Sequence, residues 1–236
     1  MTGNEDKIKK AFRQKTWNEI KSSDSWQIFK VMAEFVEGFE KMASIGPCVS
    51  LFGSARTDPK NRYYILAEEI AYKLTQSGYG VITGGGPGIM EAANKGAMRG
   101  DGVSVGMNIE LPHEQGANPY IDPDKLITFK HFFVRKVMFQ KYAQGFIVLP
   151  GGFGTFDEFF ESATLIQTGK IGRFPIVLVG SEFWNGLVRW IEKVVQEEQR
   201  NISPEDFDLF TVVDTAEEAV DVINKFYSKY LLSPNF

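Results

Sequence analysis

Short runs of consecutive apolar residues recur along the chain and alternate with segments whose apolar residues are spaced three and four positions apart. The short runs predict buried β-strands, and the spaced segments predict amphipathic helices. The predicted strands are Cys48–Phe52, Gly80–Thr83, Val103–Ile109, Lys125–Phe129, Phe146–Leu149, Ile176–Val179 and Phe210–Val213.

Predicted helices connect most of these strands, and a further apolar stripe from Ile28 to Met42 precedes the first one. Strands that are apolar throughout and alternate with helices are typical of a parallel sheet covered on both faces. We therefore predict an α/β fold, a doubly wound Rossmann-like parallel sheet flanked by helices. A single nucleotide-binding domain of this type is expected over residues 23–236, after a flexible N-terminal segment of residues 1–22.

Composition narrows the possible partners and location. The chain has 236 residues, 43% hydrophobic and 24% charged, with a formal net charge of -4. It lacks the excess positive charge that attracts a protein to nucleic-acid backbone, so no nucleic-acid partner is expected. No stretch approaches the roughly 20 apolar residues that span a bilayer, so no membrane partner is expected. The single cysteine, Cys48, requires no oxidising compartment, and we expect a cytoplasmic protein.

Glycine-bearing turns follow three of the predicted strands, at Gly53-Ser54, at Gly84–Gly88 and at Gly151–Thr155. Ligands bind beyond the carboxyl ends of such strands, so the three turns should meet in one cleft. Backbone N–H groups of glycine turns and of a helix N-terminus bind anions. We therefore predict substrate-binding roles for residues of all three turns: Gly53, Ser54, Gly85, Gly86, Gly151, Gly152, Gly154 and Thr155.

Two common nucleotide-binding motifs are absent from the sequence, and their absence indicates the size of the anion. Ile89 stands where a G-x-G-x-x-G fingerprint needs its third glycine, and no G-x-x-x-x-G-K-[ST] occurs. A monophosphate is favoured over a dinucleotide or a nucleoside triphosphate. The long irregular stretch Glu110–Asp124 follows the third strand, and loops of that length are more often functional than idle.

Glu158 distinguishes this turn from a simple phosphate loop, because a polyphosphate site gains nothing from an added carboxylate. The alternative is a capping box, Thr155-x-x-Glu158, in which both side chains satisfy backbone N–H groups. The glycines before Thr155 favour function, and both roles can coexist. Asp157 and Glu161 are interpreted as solvated charges that complement the helix dipole.

The remaining polar candidates are weaker. Arg135 and Lys136 are adjacent cations on a predicted helix, and site and surface roles are equally open. His113 and His131 are the two histidines of the chain, and neither lies at a ligand spacing from the other, so no metal site is expected. His131 is interpreted as capping or bordering its helix.

Three segments together resemble the LOG family, whose members include cytokinin riboside 5'-monophosphate phosphoribohydrolases. They are Gly84-Gly85-Gly86-Pro87-Gly88-Ile89-Met90-Glu91-Ala92-Ala93-Asn94, then Arg135-Lys136, then Pro150-Gly151-Gly152-Phe153-Gly154-Thr155-Phe156-Asp157-Glu158. The resemblance implies hydrolysis of the N-glycosidic bond of an adenosine-type nucleoside 5'-monophosphate, without a cofactor. It implies catalytic roles for Arg135 and Glu158, and substrate contacts from Glu114, Lys136 and Thr164. It also implies a homo-oligomer, a dimer or larger, in which the Ile28 to Met42 stripe serves packing between subunits.

The chain also departs from the plant-like members of that family. Its Gly86–Glu91 turn is one residue shorter, and Phe132 stands where they have Met before Arg-Lys. It resembles a bacterial branch, and the base, N6-prenylated adenine or plain adenine, stays open. Two rival functions also stay open: a pyridoxal-phosphate lysine decarboxylase, for which no lysine stands out, and a non-catalytic nucleotide or cofactor carrier of the same fold.

Overall fold

The computed structural model describes residues 17–110, 116–230 and 235. Its helices are α1 (Trp17–Met42), α2 (Arg62–Gln76), α3 (Ile89–Arg99), α4 (Phe132–Tyr142), α5 (Phe153–Gln167), α6 (Ser181–Trp190) and α7 (Ala216–Tyr227). Its strands are β1 (Cys48–Phe52), β2 (Gly80–Thr83), β3 (Ser104–Ile109), β4 (Leu126–Phe129), β5 (Ala143–Val148), β6 (Ile176–Val179) and β7 (Phe210–Val213).

All the paired strands run parallel, in the order β4-β3-β2-β1-β5-β6-β7. The chain moves outward from β1 to β4 and then returns to place β5 on the other side of β1. The topological switch point therefore lies between β1 and β5, where ligands bind in open α/β sheets. This arrangement confirms the predicted doubly wound Rossmann-like fold.

The core consists of two layers, one on each face of the sheet. Alternate residues of β1 separate them: Val49 and Leu51 pack on one face, and Cys48 and Phe52 pack on the other. The first layer is completed by α2, α3 and α7, and the second by α1, α4, α5 and α6. Because successive side chains of a strand point to opposite faces, strands covered on both faces must be apolar throughout, as the sequence pattern required.

Several predicted boundaries are wrong by a few residues. β5 begins at Ala143, because Gln144 and Gly145 are buried by tertiary contacts that override their low strand preference. The sequence pattern predicts a helix from Thr155 to Gln167, and α5 begins two residues earlier, at Phe153. Lys125 belongs to a 3₁₀ turn, Pro123–Lys125, that precedes β4. A π-helical segment, Ile191–Glu198, continues α6.

The first helix also begins earlier than the sequence predicted. It starts at Trp17, so residues 17–22, which were assigned to the N-terminal segment, are helical. Extending an existing helix costs little compared with starting one, so a docked helix propagates into a polar flank. Residues 1–16 lie outside the described residues. No helix in the described part of the chain is both long enough and apolar enough to span a bilayer.

Two buried asparagines connect the glycine turn after β2 to the segment before β4. Asn94 Oδ1 accepts hydrogen bonds from Thr83 Oγ1 (2.6 Å) and Asn118 Nδ2 (3.0 Å), and Asn94 Nδ2 donates to Ser104 Oγ (2.9 Å). Asn118 Nδ2 also donates to the carbonyl oxygens of Gly85 (3.1 Å) and Gly86 (3.0 Å). These hydrogen bonds hold the backbone of the Gly84–Gly88 turn in place.

Asn94→Ala should lower the free energy of unfolding by about 1–3 kcal/mol, because it removes the buried hydrogen bonds that the Asn94 amide makes with Thr83, Ser104 and Asn118. Urea denaturation measures the change. Asn224→Ala is the matched control, since Asn224 makes a long, exposed bond of 3.5 Å to Ser77. Equal stability changes in the two variants would contradict a structural role for the network.

Candidate active site

A cavity of about 830 Å³ opens at the carboxyl ends of β1, β2 and β5. The three glycine turns predicted to converge do meet there, because Gly53-Ser54, Gly84 and Gly151–Thr155 all contribute to its wall. Arg135 and Glu158 also line it. The remaining lining residues are Phe52, Ala55, Arg56, Thr57, Asn61, Tyr63, Met90, Phe132, Pro150, Asp157 and Phe183.

Backbone hydrogen bonds through Ser54 hold the three turns together. The Ser54 N–H donates to the carbonyl oxygen of Pro150 (3.1 Å), and the Ser54 carbonyl oxygen accepts from the Ile89 N–H (3.1 Å). Gly88 lies so close that a Cβ atom there would collide with that same carbonyl, and its φ of 67° is left-handed. A glycine is required at position 88 for this close approach.

The N-terminus of α5 faces the cavity without a side-chain cap. Its N-cap residue is Gly152, and no side chain makes a capping hydrogen bond there. The Thr155 N–H donates to the Gly152 carbonyl oxygen (2.9 Å), which leaves the N–H groups of Phe153 and Gly154 ahead of that first turn. Free N–H groups of this kind, together with the positive end of the helix dipole, are suited to binding an anion. A Thr155–Glu158 capping box is absent from this helix start, because Thr155 is the third residue of the helix.

Glu158 lies one turn into α5 and is only 4% exposed. Its Oε2 atom has no hydrogen-bond partner among the described residues. Burial raises the pKa of Glu158 to about 7, while the positive charges of Arg135 and then Lys136 act to lower it. A carboxyl group that titrates near neutral pH beside a cavity is typical of a functional site.

The two adjacent cations of α4 have different surroundings. The Arg135 guanidinium lies 5.7 Å from the ring centre of Phe132 and 5.5 Å from that of Phe139, on the cavity wall. Lys136 lies outside the lining and forms ion pairs with Asp157 (2.9 Å) and Glu161 (3.1 Å). Asp157 keeps more than half of its side chain in solvent, as predicted, whereas the Glu161 side chain is about two-thirds buried; Lys136 of the neighbouring helix pairs with both.

Other predicted site residues lie away from the cavity wall. The Gly85 N–H donates to Thr83 Oγ1 (2.9 Å), and the carbonyl oxygens of Gly85 and Gly86 face Asn118. Thr164 is exposed farther along α5, and its carbonyl oxygen accepts from Thr168 Oγ1 (2.8 Å). Glu114 lies outside the described residues.

His131 is the N-cap residue of α4 and so borders its helix as predicted. Its Nδ1 atom lies 3.0 Å from Glu34 Oε1, which ties α4 to α1. Among the described residues, no group of three His, Cys, Asp or Glu side chains is arranged to hold a metal ion.

Sequence reasoning missed several residues of the cavity wall. Arg56, Thr57 and Asn61 belong to the segment after β1, and their position directly beyond the Gly53-Ser54 turn was the available signal. Phe132, Phe153 and Phe183 bring aromatic rings to the cavity, and Phe153 is 94% exposed. Phenylalanines resemble core residues in sequence, so their exposure could not be predicted from the pattern.

Comparison with known proteins places the chain in a family. Residues 90–223 match the family model described as "Possible lysine decarboxylase". The cytokinin riboside 5'-monophosphate phosphoribohydrolase of Mycobacterium tuberculosis is 31% identical over 158 residues, covering 66% of this chain and 82% of that protein. The enzyme LOG2 of Arabidopsis thaliana, of the same name, is 28% identical over 153 residues, covering 63% and 70%.

Solved structures share the fold at lower identity. The molybdenum cofactor binding protein of Rippkaea orientalis superimposes with a TM-score of 0.57 at 16% identity, covering 76% of this chain and 96% of that one. A Moco carrier protein of Chlamydomonas reinhardtii gives 0.54 at 19% identity, covering 78% and 99%. At this identity the likeness establishes the fold alone. The family-model match and the mycobacterial relative establish more: the chain belongs to the LOG family, which the family model describes as possible lysine decarboxylases.

Proposed function

We propose that this protein hydrolyses the N-glycosidic bond of adenosine-type nucleoside 5'-monophosphates, releasing the free base and ribose 5-phosphate. The observation that carries the proposal is the position of Glu158, a buried carboxyl group on the wall of a cavity that also contains an uncapped helix N-terminus. Curated relatives named as cytokinin riboside 5'-monophosphate phosphoribohydrolases support the same reaction.

The proposed chemistry follows from how charge develops in the reaction. As the bond from C1′ to the base nitrogen breaks, positive charge gathers on the ribose ring. An ionised Glu158 stabilises the positively charged transition state more than it stabilises the neutral substrate. The activation barrier is therefore lower. A water molecule adds its oxygen to C1′, and its proton goes to the departing base. Arg135 favours the ionised form of Glu158 by lowering its pKa.

The phosphate of the substrate is assigned to the turn Gly151–Thr155 at the N-terminus of α5. Holding it there orients the ribose toward Glu158, one helical turn farther on, and orientation of this kind accelerates a reaction. Gly53 and Ser54 form the adjoining wall of the cavity. Lys136 acts indirectly in this scheme, by pairing with Asp157 and Glu161 on the same helix.

The base is assigned to the aromatic side of the cavity, where Phe132 and Phe183 are exposed. Flat aromatic rings stack on nucleobases and also accept an apolar N6 substituent. Both AMP and cytokinin riboside monophosphates are therefore candidate substrates.

Two rival functions make different demands on the cavity. A pyridoxal-phosphate decarboxylase needs a lysine that bonds to the cofactor, and among the described residues no lysine lines this cavity. A carrier like the molybdenum cofactor proteins of the same fold needs a binding site but no buried carboxylate beside a sugar.

Incubation with AMP and with isopentenyl-AMP tests the reaction directly. The protein should release free base and ribose 5-phosphate, and Glu158→Gln should lower kcat by at least about 100-fold with nucleotide binding largely kept, since the charge acts in the transition state. Chromatography of the products and calorimetric binding make the two measurements.

Glu192→Gln serves as the matched control, because Glu192 is exposed and outside the cavity wall. Intact nucleotide together with measurable binding by the parent protein would favour the carrier instead. If Glu158→Gln released base as fast as the parent protein, the proposed catalytic role of the Glu158 carboxylate would be wrong.

The pH dependence of kcat/KM should report the titration of Glu158. Because the ionised form is the active one, activity should rise as pH increases through about 7 and then level off. Arg135→Gln removes the charge that lowers this pKa, so its rising limb should move to higher pH. A limb that moved to lower pH would contradict the assigned interaction.

We also propose that the protein forms a homodimer through α1. Trp26, Phe29, Met32 and Val36 of this helix are each more than half exposed, and their helical spacing places them along one side. Contiguous exposed apolar surface of this kind marks interaction sites. In the proposed dimer, this apolar surface packs against α1 of a second copy of the chain.

Phe29→Glu should convert the dimer to a monomer, because it places a charge in the centre of this apolar surface. Analytical ultracentrifugation measures the mass in solution. Lys30→Glu, at the next position of the helix, introduces the same residue outside the apolar side and should remain dimeric. A Phe29→Glu protein with the parent mass would rule out this interface.

A further inference from the structure

Arg56 lies on the loop after β1, two residues beyond Ser54, and lines the same cavity as the α5 N-terminus. Its backbone N–H donates to Ser54 Oγ (3.1 Å), which fixes the start of the loop. Ser54 is itself bonded through its N–H to the carbonyl oxygen of Pro150, the residue before the Gly151–Thr155 turn. The backbone of Arg56 is thus held in a defined relation to the proposed phosphate turn.

The Arg56 side chain has no compensating acid. Within the described residues it makes no ion pair and no side-chain hydrogen bond. Arg62 and Arg99 differ in this respect, since Arg62 pairs with Glu182 and Arg99 pairs with Glu68 and Glu69. The acid of the same loop, Asp58, uses its carboxylate to accept the Lys60 N–H (2.8 Å).

The balance of charged residues on the cavity wall favours the binding of one further anion. Its lining contains the cations Arg56 and Arg135 and the acids Asp157 and Glu158. Asp157 is paired with Lys136, and the charge of Arg135 acts on Glu158. A phosphate monoester carries about -1.5 to -2 at pH 7, and a helix N-terminus supplies only roughly half a positive charge. Of the two cations that line the cavity, Arg56 is the one that remains to neutralise the rest of the phosphate charge.

We propose that Arg56 binds the 5'-phosphate of the substrate and thereby makes the site select nucleotides over nucleosides. This inference rests on the proposed function, since it names the group that the reaction's substrate must carry. The planar guanidinium donates two parallel hydrogen bonds to phosphate oxygens, which a lysine ammonium cannot reproduce in the same geometry. The backbone amides of the α5 turn contact the remaining oxygens.

Calorimetric titration with ribose 5-phosphate and with adenosine tests this role without requiring turnover. Arg56→Gln should weaken ribose 5-phosphate binding by about 10- to 100-fold, as expected for a lost charge-assisted bond, and should leave adenosine binding unchanged. Arg56→Lys should restore part of the lost affinity. Lys60→Gln, an exposed cation of the same loop outside the cavity wall, should behave as the parent protein.

A parallel assay of base release from AMP separates the two proposals. If the parent releases no base but Arg56→Gln still loses ribose 5-phosphate affinity, the hydrolase proposal fails and the phosphate role of Arg56 stands. If the parent releases base and Arg56→Gln binds ribose 5-phosphate as tightly as the parent, the role of Arg56 is overturned. An equal loss for adenosine and ribose 5-phosphate would overturn it as well, since it would indicate a change in the cavity as a whole.

Discussion

Burying a carboxylate costs free energy, because the charged group loses its contact with water. The arrangement of this site reflects how neighbouring positive charges offset that cost at Glu158. Burial raises the pKa of Glu158 to about 7, and the charges of Arg135 and Lys136 offset only part of the effect. The group is therefore partly ionised at neutral pH, and a nearby charge shifts its proton equilibrium. In the proposed reaction, the ribose ring that becomes positive during bond cleavage is such a charge. Because its pKa is raised on folding, Glu158 makes the folded protein lose stability as pH rises from the ordinary pKa of a glutamate to about 7. The same burial gives the carboxylate its proposed effect on the reaction.

The fold explains how a buried carboxylate and an uncapped helix N-terminus come to share one cavity. The switch point between β1 and β5 opens a crevice at the carboxyl edge of the sheet, and α5 begins directly after β5. Ser54 bonds to the turns on both sides of it, so the wall of the crevice is continuous. Behind it, Asn94 and Asn118 hold the Gly84–Gly88 turn from the side away from the cavity. The groups assigned to the proposed reaction lie on helices and strands, which hold their relative positions fixed.

Local patterns in the sequence were sufficient for most of the fold and for the centre of the site. Strands β1, β2, β6 and β7 match their predicted bounds, because uninterrupted apolar runs leave little choice of structure. The glycine turns were predictable because their constraints are local. What the sequence did not reveal depends on tertiary contacts: Gln144 and Gly145 become part of β5 only when neighbouring strands bury them. Likewise, Asn118 and Arg56 resemble any polar loop residue until the fold brings one to the glycine turn and the other to the cavity.

The proposed reaction depends on the position of the pentose relative to Glu158. A crystal structure of the protein with ribose 5-phosphate bound tests that position most directly. We expect the phosphate at the N-terminus of α5 and the C1′ atom next to the Glu158 carboxylate. A structure that placed the phosphate in the same turn but directed C1′ away from Glu158, or that seated the phosphate elsewhere, would contradict the proposed reaction.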